Sequence, residues 1–277
     1  MSGPFGSSQW TYSSAAGAFY SHQIEQSVYF TNNSRLSRTY GTVSSQTAFT
    51  FSMWVKRSET YENGMNTVWQ MLMGTGTGVE GGGAAFGFES GGGTSGGLNN
   101  RDRIAWYGHK GTSGGSATGD DRIAGYYRDT TGWYNIVLRT DTSQSSGDRI
   151  KYYVNGNGPL ERTTQNNPDG NLDRFHYATA TLVIGANTSG NYGFDGYMAE
   201  IAYCDGQSLG PSSFGETKNG VWVPKAVSGL TFGNEGFYLK FEDSSNFGND
   251  SSGNNNDFTV SNLAANRQRP DSPTFGE

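Results

Sequence analysis

Ala48-Phe49-Thr50-Phe51-Ser52-Met53-Trp54-Val55-Lys56-Arg57 alternates with a period of two. Phe49, Phe51, Met53 and Val55 fall on one side, and Thr50, Ser52, Trp54 and Lys56 on the other. Successive side chains of a β-strand leave opposite faces, so this period predicts a strand rather than a helix. The first set reads as core. The second, with Trp54 between Ser52 and Lys56, reads as a face open to solvent.

Similar signals recur on both sides. Strands are predicted over Gln26–Thr31, Thr67–Met73, Ala84–Phe88, Arg103–Tyr107, Gly132–Arg139, Arg149–Val154, Thr181–Gly185, Gly196–Tyr203 and Gly236–Phe241. Asn155-Gly156 predicts a tight turn, because both residues tolerate positive φ. Only Gly210–Glu216, with Pro211 at a plausible first helical position, predicts a short helix of one or two turns. A series of strands with one short helix predicts an all-β, two-layer antiparallel sandwich.

Composition supports a sheet protein with long loops. The 277 residues include 42 glycines, and aromatics make up 14%. Glycine concentrates in Gly74–Gly83, Gly91–Arg101 and Gly111–Asp121. Long loops on a rigid sandwich are a common working surface. The formal charge is −6 and the cations are scattered, which argues against nucleic acid as a partner. No apolar run approaches the roughly 20 residues of a membrane span. The single cysteine, Cys204, lies in a strand-like pattern and reads as an inert core thiol.

Three segments organise the chain. Residues 1–22 mix Gly and Ser with Phe5, Trp10, Tyr12, Phe19 and Tyr20. They read as an arm that docks on its own domain or a neighbour, and they are the expected attachment element. Met1–Ala18 lacks the charged and apolar regions of a Sec-type signal, so accumulation in the cytoplasm of the producing cell is expected. Residues 23–245 carry the sandwich. Residues 246–277 form an Asn/Asp-rich extension packing on or near it.

Gln26-Ser-Val-Tyr-Phe30, Phe49–Arg57, Gly132-Trp-Tyr-Asn-Ile-Val-Leu138, Lys151-Tyr-Tyr-Val-Asn-Gly156 and Phe194-Asp-Gly-Tyr-Met-Ala-Glu-Ile-Ala-Tyr203 occur in that order. Together they resemble the concanavalin A-like jelly rolls of the laminin-G and pentraxin type. Gly220-Val-Trp-Val-Pro-Lys225, Asp250-Ser-Ser-Gly-Asn-Asn-Asn-Asp-Phe258 and Asp271-Ser-Pro-Thr274 are similar to segments of proteins encoded by tailed phages. In those a second domain often follows the Asp-Ser-Pro-Thr segment, whereas here the sequence ends at Glu277. This likeness implies a non-enzymatic structural protein of the virion surface, as capsid decoration, head fibre or tail fibre. Its partners would be other virion proteins, and a homo-oligomer, first of all a trimer, is expected from the symmetry of such particles. A lectin recognising host-surface glycan is the alternative.

The resemblance frames the candidate sites. Hydrolases of this fold carry Glu-x-Asp-x-x-Glu, which is absent, so no catalytic residue is expected. The nearest carboxylates are Glu200, expected on the same face as Met198 and Ala202, and Glu242-Asp243. Trp54, Trp69, Trp106 and Tyr107, with Trp133 and Tyr134 behind them, form the pool of aromatic rings for sugar stacking. Jelly rolls of this type often hold Ca²⁺ in a rim loop. Asp243, Asp250 and Asp257 are the oxygen-rich candidates, against the alternative of Asx turns bonding their own backbone.

Overall fold

The computed structural model describes residues 19–60, 69–76, 83–89, 102–110, 118–164 and 179–274. Its strands are β1 (Ser27–Phe30), β2 (Arg35–Thr39), β3 (Ala48–Arg57), β4 (Trp69–Thr75), β5 (Ala84–Glu89), β6 (Arg103–Lys110), β7 (Thr118–Ile123), β8 (Tyr134–Asp141) and β9 (Ile150–Val154). They continue with β10 (Arg162–Thr164), β11 (Thr181–Ile184), β12 (Gly196–Asp205), β13 (Gly215–Lys218), β14 (Val221–Pro224), β15 (Phe237–Leu239), β16 (Thr259–Ser261) and β17 (Gln268–Arg269). The first sheet runs β17-β1-β12-β3-β8-β9, with β15 also paired to β12. The second runs β10-β7-β6-β5-β4-β11-β2-β16, and β13–β14 is a separate hairpin. All of these strand pairings are antiparallel.

The alternation of β3 places Phe49, Phe51, Met53 and Val55 in the space between the sheets, each fully buried. There they meet Met73, Phe86, Phe88, Ile104 and Trp106 of the second sheet. Aromatic edges do much of the packing: Phe51 meets Phe86 edge to face at 6.4 Å, and Tyr203 stacks on Phe237 at 5.3 Å. Few aliphatic residues suffice because each ring buries a large area.

The other face of β3 is not open. Thr50, Ser52 and Trp54 are buried too, because residues 206–232 fold back over the first sheet. Thr50 donates its hydroxyl to the Gln207 carbonyl and accepts from the Leu209 amide. Phe214 and Val227 cover Val137, Ala202 and Cys204. Burial pushes the Cys204 thiol up to about 12, in keeping with an inert thiol. Trp222 of β14 packs with Trp54 and donates its indole N–H to Asn135 Oδ1 at 3.1 Å. Asn155 and Gly156 both have positive φ, as a tight turn requires, and Val154 bridges to Asn157. A Cβ on Gly156 would lie 2.3 Å from the Trp222 ring, so this turn and the hairpin are fitted to each other.

Two sequence expectations change. The helix at Gly210–Glu216 is a single 3-10 turn, Pro211–Ser213, because Gly215 already begins β13. Residues 246–274 are built into the sandwich. Phe247 and Phe258 join the core, β16 adds to the second sheet beside β2, and β17 adds to the first beside β1.

Candidate functional site

The expected stacking rings are largely inside the protein. Trp106 is fully buried and meets Phe49 edge to face. Trp54 is 5% exposed, enclosed by Ile24, Ala199, Trp133 and Trp222. Trp69 is equally buried, on the outer side of the second sheet with Met71, Ala85 and Ala105. Tyr107 is half-buried at the edge of that cluster. Three of the four rings therefore lack an open face for a sugar: Trp106 lies between the sheets with Ile104, and Trp54 and Trp69 are covered on the outer faces.

The aspartates hold turns. Asp250 accepts from the Tyr238, Ser252 and Asn256 amides and from the Ser252 hydroxyl. Asp257 accepts from the Asp250 amide, and Asp243 from the amide and hydroxyl of Ser245. A cation at Asp250 would compete with four donors aimed at the same carboxylate. Among the described residues no group of three His, Cys, Asp or Glu is placed to hold a metal. The Asx-turn alternative is the one the geometry supports.

Of the arm, Phe5, Trp10 and Tyr12 lie outside the described residues. Phe19 is 40% exposed and meets Tyr20 edge to face at 5.0 Å. The chain then docks. Ser21 bonds Glu216, and His22 Nε2 lies 2.7 Å from Glu200 Oε1. Glu200 does not share the face of Met198. A bulge between Ala199 and Ile201 gives it φ +37° and turns it to the outer face, while Met198 and Ile201 both point into the core.

One open feature is a groove of about 670 Å³ lined by Asn262, Leu263, Ala264, Asn266, Arg267 and Arg269. Its residues span the crossing from β16, on the edge of the second sheet, to β17, on the edge of the first. Asn262 ties it to the β1–β2 turn: its carbonyl accepts from Ser34 and its amide donates to the Asn33 carbonyl. The 3-10 turn Ala265–Arg267 sets the guanidinium carbon of Arg267 5.6 Å from the centre of the Tyr29 ring. Tyr29 donates to Asp195 Oδ1 at 2.7 Å, and burial together with that carboxylate pushes its phenol up to about 12. Half-buried rings continue from it: Tyr197 lies 4.9 Å from Tyr29, and Trp133 lies 6.3 Å from Tyr197. Asp271 closes the row, paired to Lys56 and accepting from the Trp133 indole.

The match to known sequences covers most of the strands of the two sheets, β1 to β12. Residues 29–207 match the concanavalin A-like lectin/glucanases superfamily. The chain belongs to that superfamily. No curated protein matches the sequence. Among solved structures, a candidate carbohydrate binding protein from Bacteroides ovatus aligns over 90% of this chain with a TM-score of 0.50 and 14% identity. The chain spans 60% of that protein's length. A heptameric SAP-like pentraxin from Limulus polyphemus aligns over 68% of this chain and 79% of its own, with a TM-score of 0.42 and 13% identity. Ruminococcus gnavus IT-sialidase CBM40 bound to alpha2,3 sialyllactose aligns over 69% and 96%, at 0.41 and 13%. The superfamily match ends at residue 207, and the groove lies beyond it, in residues 262–269. Sequence reasoning passed over this segment because it has no strand period. The one available signal was Arg267-Gln268-Arg269, two close cations in an acidic chain.

Proposed function

We propose that the protein is a non-enzymatic, lectin-like binding module that takes glycan in the groove at Asn262–Arg269. The observation that carries this reading is the lining itself. Planar amides and guanidiniums stand beside the apolar Leu263 and Ala264, a combination suited to sugar hydroxyls and C–H faces. Membership of the superfamily supports it. Among the described residues the lining includes no carboxylate, and so no acid pair of glycoside hydrolysis. A glycan array on the purified protein tests this. Reproducible binding that weakens in an Asn266→Ala, Arg267→Ala double variant supports the reading, and silence across the array overturns it.

A second reading places the module on the surface of a tailed-phage particle. The phage-like segments from Gly220 to Thr274 and the exposed Phe19 at the root of the aromatic arm favour it. The arm would be the anchor and a trimer the expected assembly. Deleting residues 1–22 should leave a folded domain that no longer joins particles. Full occupancy of particles by the truncated protein would rule the arm out as anchor, and a monomer by sedimentation would count against a self-sufficient trimer.

A further inference from the structure

We infer that the ligand of the groove is an acidic saccharide, its carboxylate held by Arg267 and Arg269. This rests on the glycan-binding reading above. The first argument is charge. The chain carries a net −6, yet among the described residues this groove is walled by two arginines and no carboxylate. Several other arginines meet acids, Arg38 with Glu235, Arg57 with Asp102, Arg122 with Glu89 and Arg162 with Asp121, while Arg103 and Arg139 donate to hydroxyls. Among the described residues, neither Arg267 nor Arg269 has an acidic partner. Glu242, whose backbone carbonyl is held by Gln268, turns its carboxylate to Lys240.

The second argument is preorganisation. Arg267 is braced over Tyr29, whose hydroxyl is fixed by Asp195 and whose ring is backed by Tyr197. Arg269 donates Nη1 to the Gln268 carbonyl at 2.9 Å and to the Asn266 carbonyl, while its backbone is paired with Ser27. Guanidiniums held this way lose little freedom on meeting a carboxylate, and their planar forks suit its two oxygens.

The third argument is size. The groove of about 670 Å³ lies within the range of small-molecule sites, roughly 300–1,000 Å³, and is far larger than an inorganic anion fills. Leu263 and Ala264 offer apolar surface for a ring, and Asn266 an exposed amide for its hydroxyls. The chemistry therefore points to a sugar acid rather than to a free ion.

The test uses the full chain and two matched probes: tetragalacturonate, and the same tetrasaccharide with its carboxylates reduced. Tetrasialate and sodium sulfate complete the set. Titration calorimetry should show an acidic tetrasaccharide bound and the reduced one not. Binding should weaken about tenfold or more in an Arg267→Gln, Arg269→Gln double variant. It should also weaken as NaCl rises from about 50 to about 500 mM. The distant surface variant Lys225→Gln should bind as wild type. Equal binding of acidic and reduced sugars overturns the inference and leaves the glycan reading standing. Binding that the double variant leaves untouched, or displacement by sulfate as effective as by the sugar, overturns the inference as well. Failure of every glycan, neutral or acidic, overturns both. The comparison of acid with reduced sugar needs no variant, so it decides the matter even where the double variant fails to fold.

Discussion

His22 Nε2 and Glu200 Oε1 lie 2.7 Å apart across 178 residues of sequence, joining the segment that precedes β1 to the bulge of β12. The hydrogen bond and charge of Glu200 raise the His22 pKa above 6.5, against partial burial and the repulsion of Lys240. A basic group whose pKa is raised on folding stabilises fully below its unfolded value and loses that contribution as pH climbs through the folded one. Wild type should therefore exceed His22→Gln in Tm most at pH below about 6.5, with the gap closing as pH rises above it. Melting curves of both proteins from about pH 5.5 to 8.5 give the answer, and a gap that widens with pH would contradict it.

Arg57 and Asp102 form an ion pair at 2.9 Å with both side chains wholly buried. Arg57 also donates to the Tyr127 carbonyl and lies 4.3 Å from the Phe88 ring centre, and Asp102 bonds Arg128 as well. Removing one partner strands a buried charge. Asp102→Asn should cost about 3–5 kcal/mol in urea unfolding, and a loss below about 1 kcal/mol would mean that water reaches the pair.

Trp54 separates core from ligand surface. Trp54→Ala should cost about 3–5 kcal/mol through the cavity left between Ile24, Ala199 and Trp222. Trp54→Phe, which keeps most of the volume, should bind glycan as wild type does on the same array. Selective loss of binding by a well-folded Trp54→Phe protein would return this ring to the site.

Asp250 orders the Asn-rich turn by accepting four hydrogen bonds. Asp250→Ala leaves the buried Tyr238 and Asn256 amides without that acceptor and should cost about 2 kcal/mol or more. Because those donors already occupy the carboxylate, Tm in EDTA and in millimolar Ca²⁺ should agree within about 1 °C. A clear rise with Ca²⁺ would show that a cation replaces them.

Much of the sandwich was legible along the chain. Strand β3 runs from Ala48 to Arg57, the bounds its alternation predicts, and the inward set of Phe49, Phe51, Met53 and Val55 is the core. Asn155-Gly156 turns where its tolerance of positive φ places a turn. The expected face of Glu200 failed because one extra residue in a strand shifts every side chain after it, and nothing in Tyr197–Ala202 marks the bulge.

The sequence by itself determined the fold class, because a period of two and the conformational limits of glycine are local properties read from neighbouring residues. It also determined the inert character of Cys204, since a small apolar residue in a strand of buried neighbours has few other places to go. Only the tertiary structure decided which faces are open. The outer side of β3 is polar enough to meet water, yet residues 206–232 return to cover it and take Trp54 out of reach. Arg267 and Arg269, two close cations in the sequence, become the wall of a groove when the segment from β16 to β17 crosses between the edges of opposite sheets. Burial and grooves arise from pairs of segments distant in sequence, and local periodicity carries no record of which segment will lie across which.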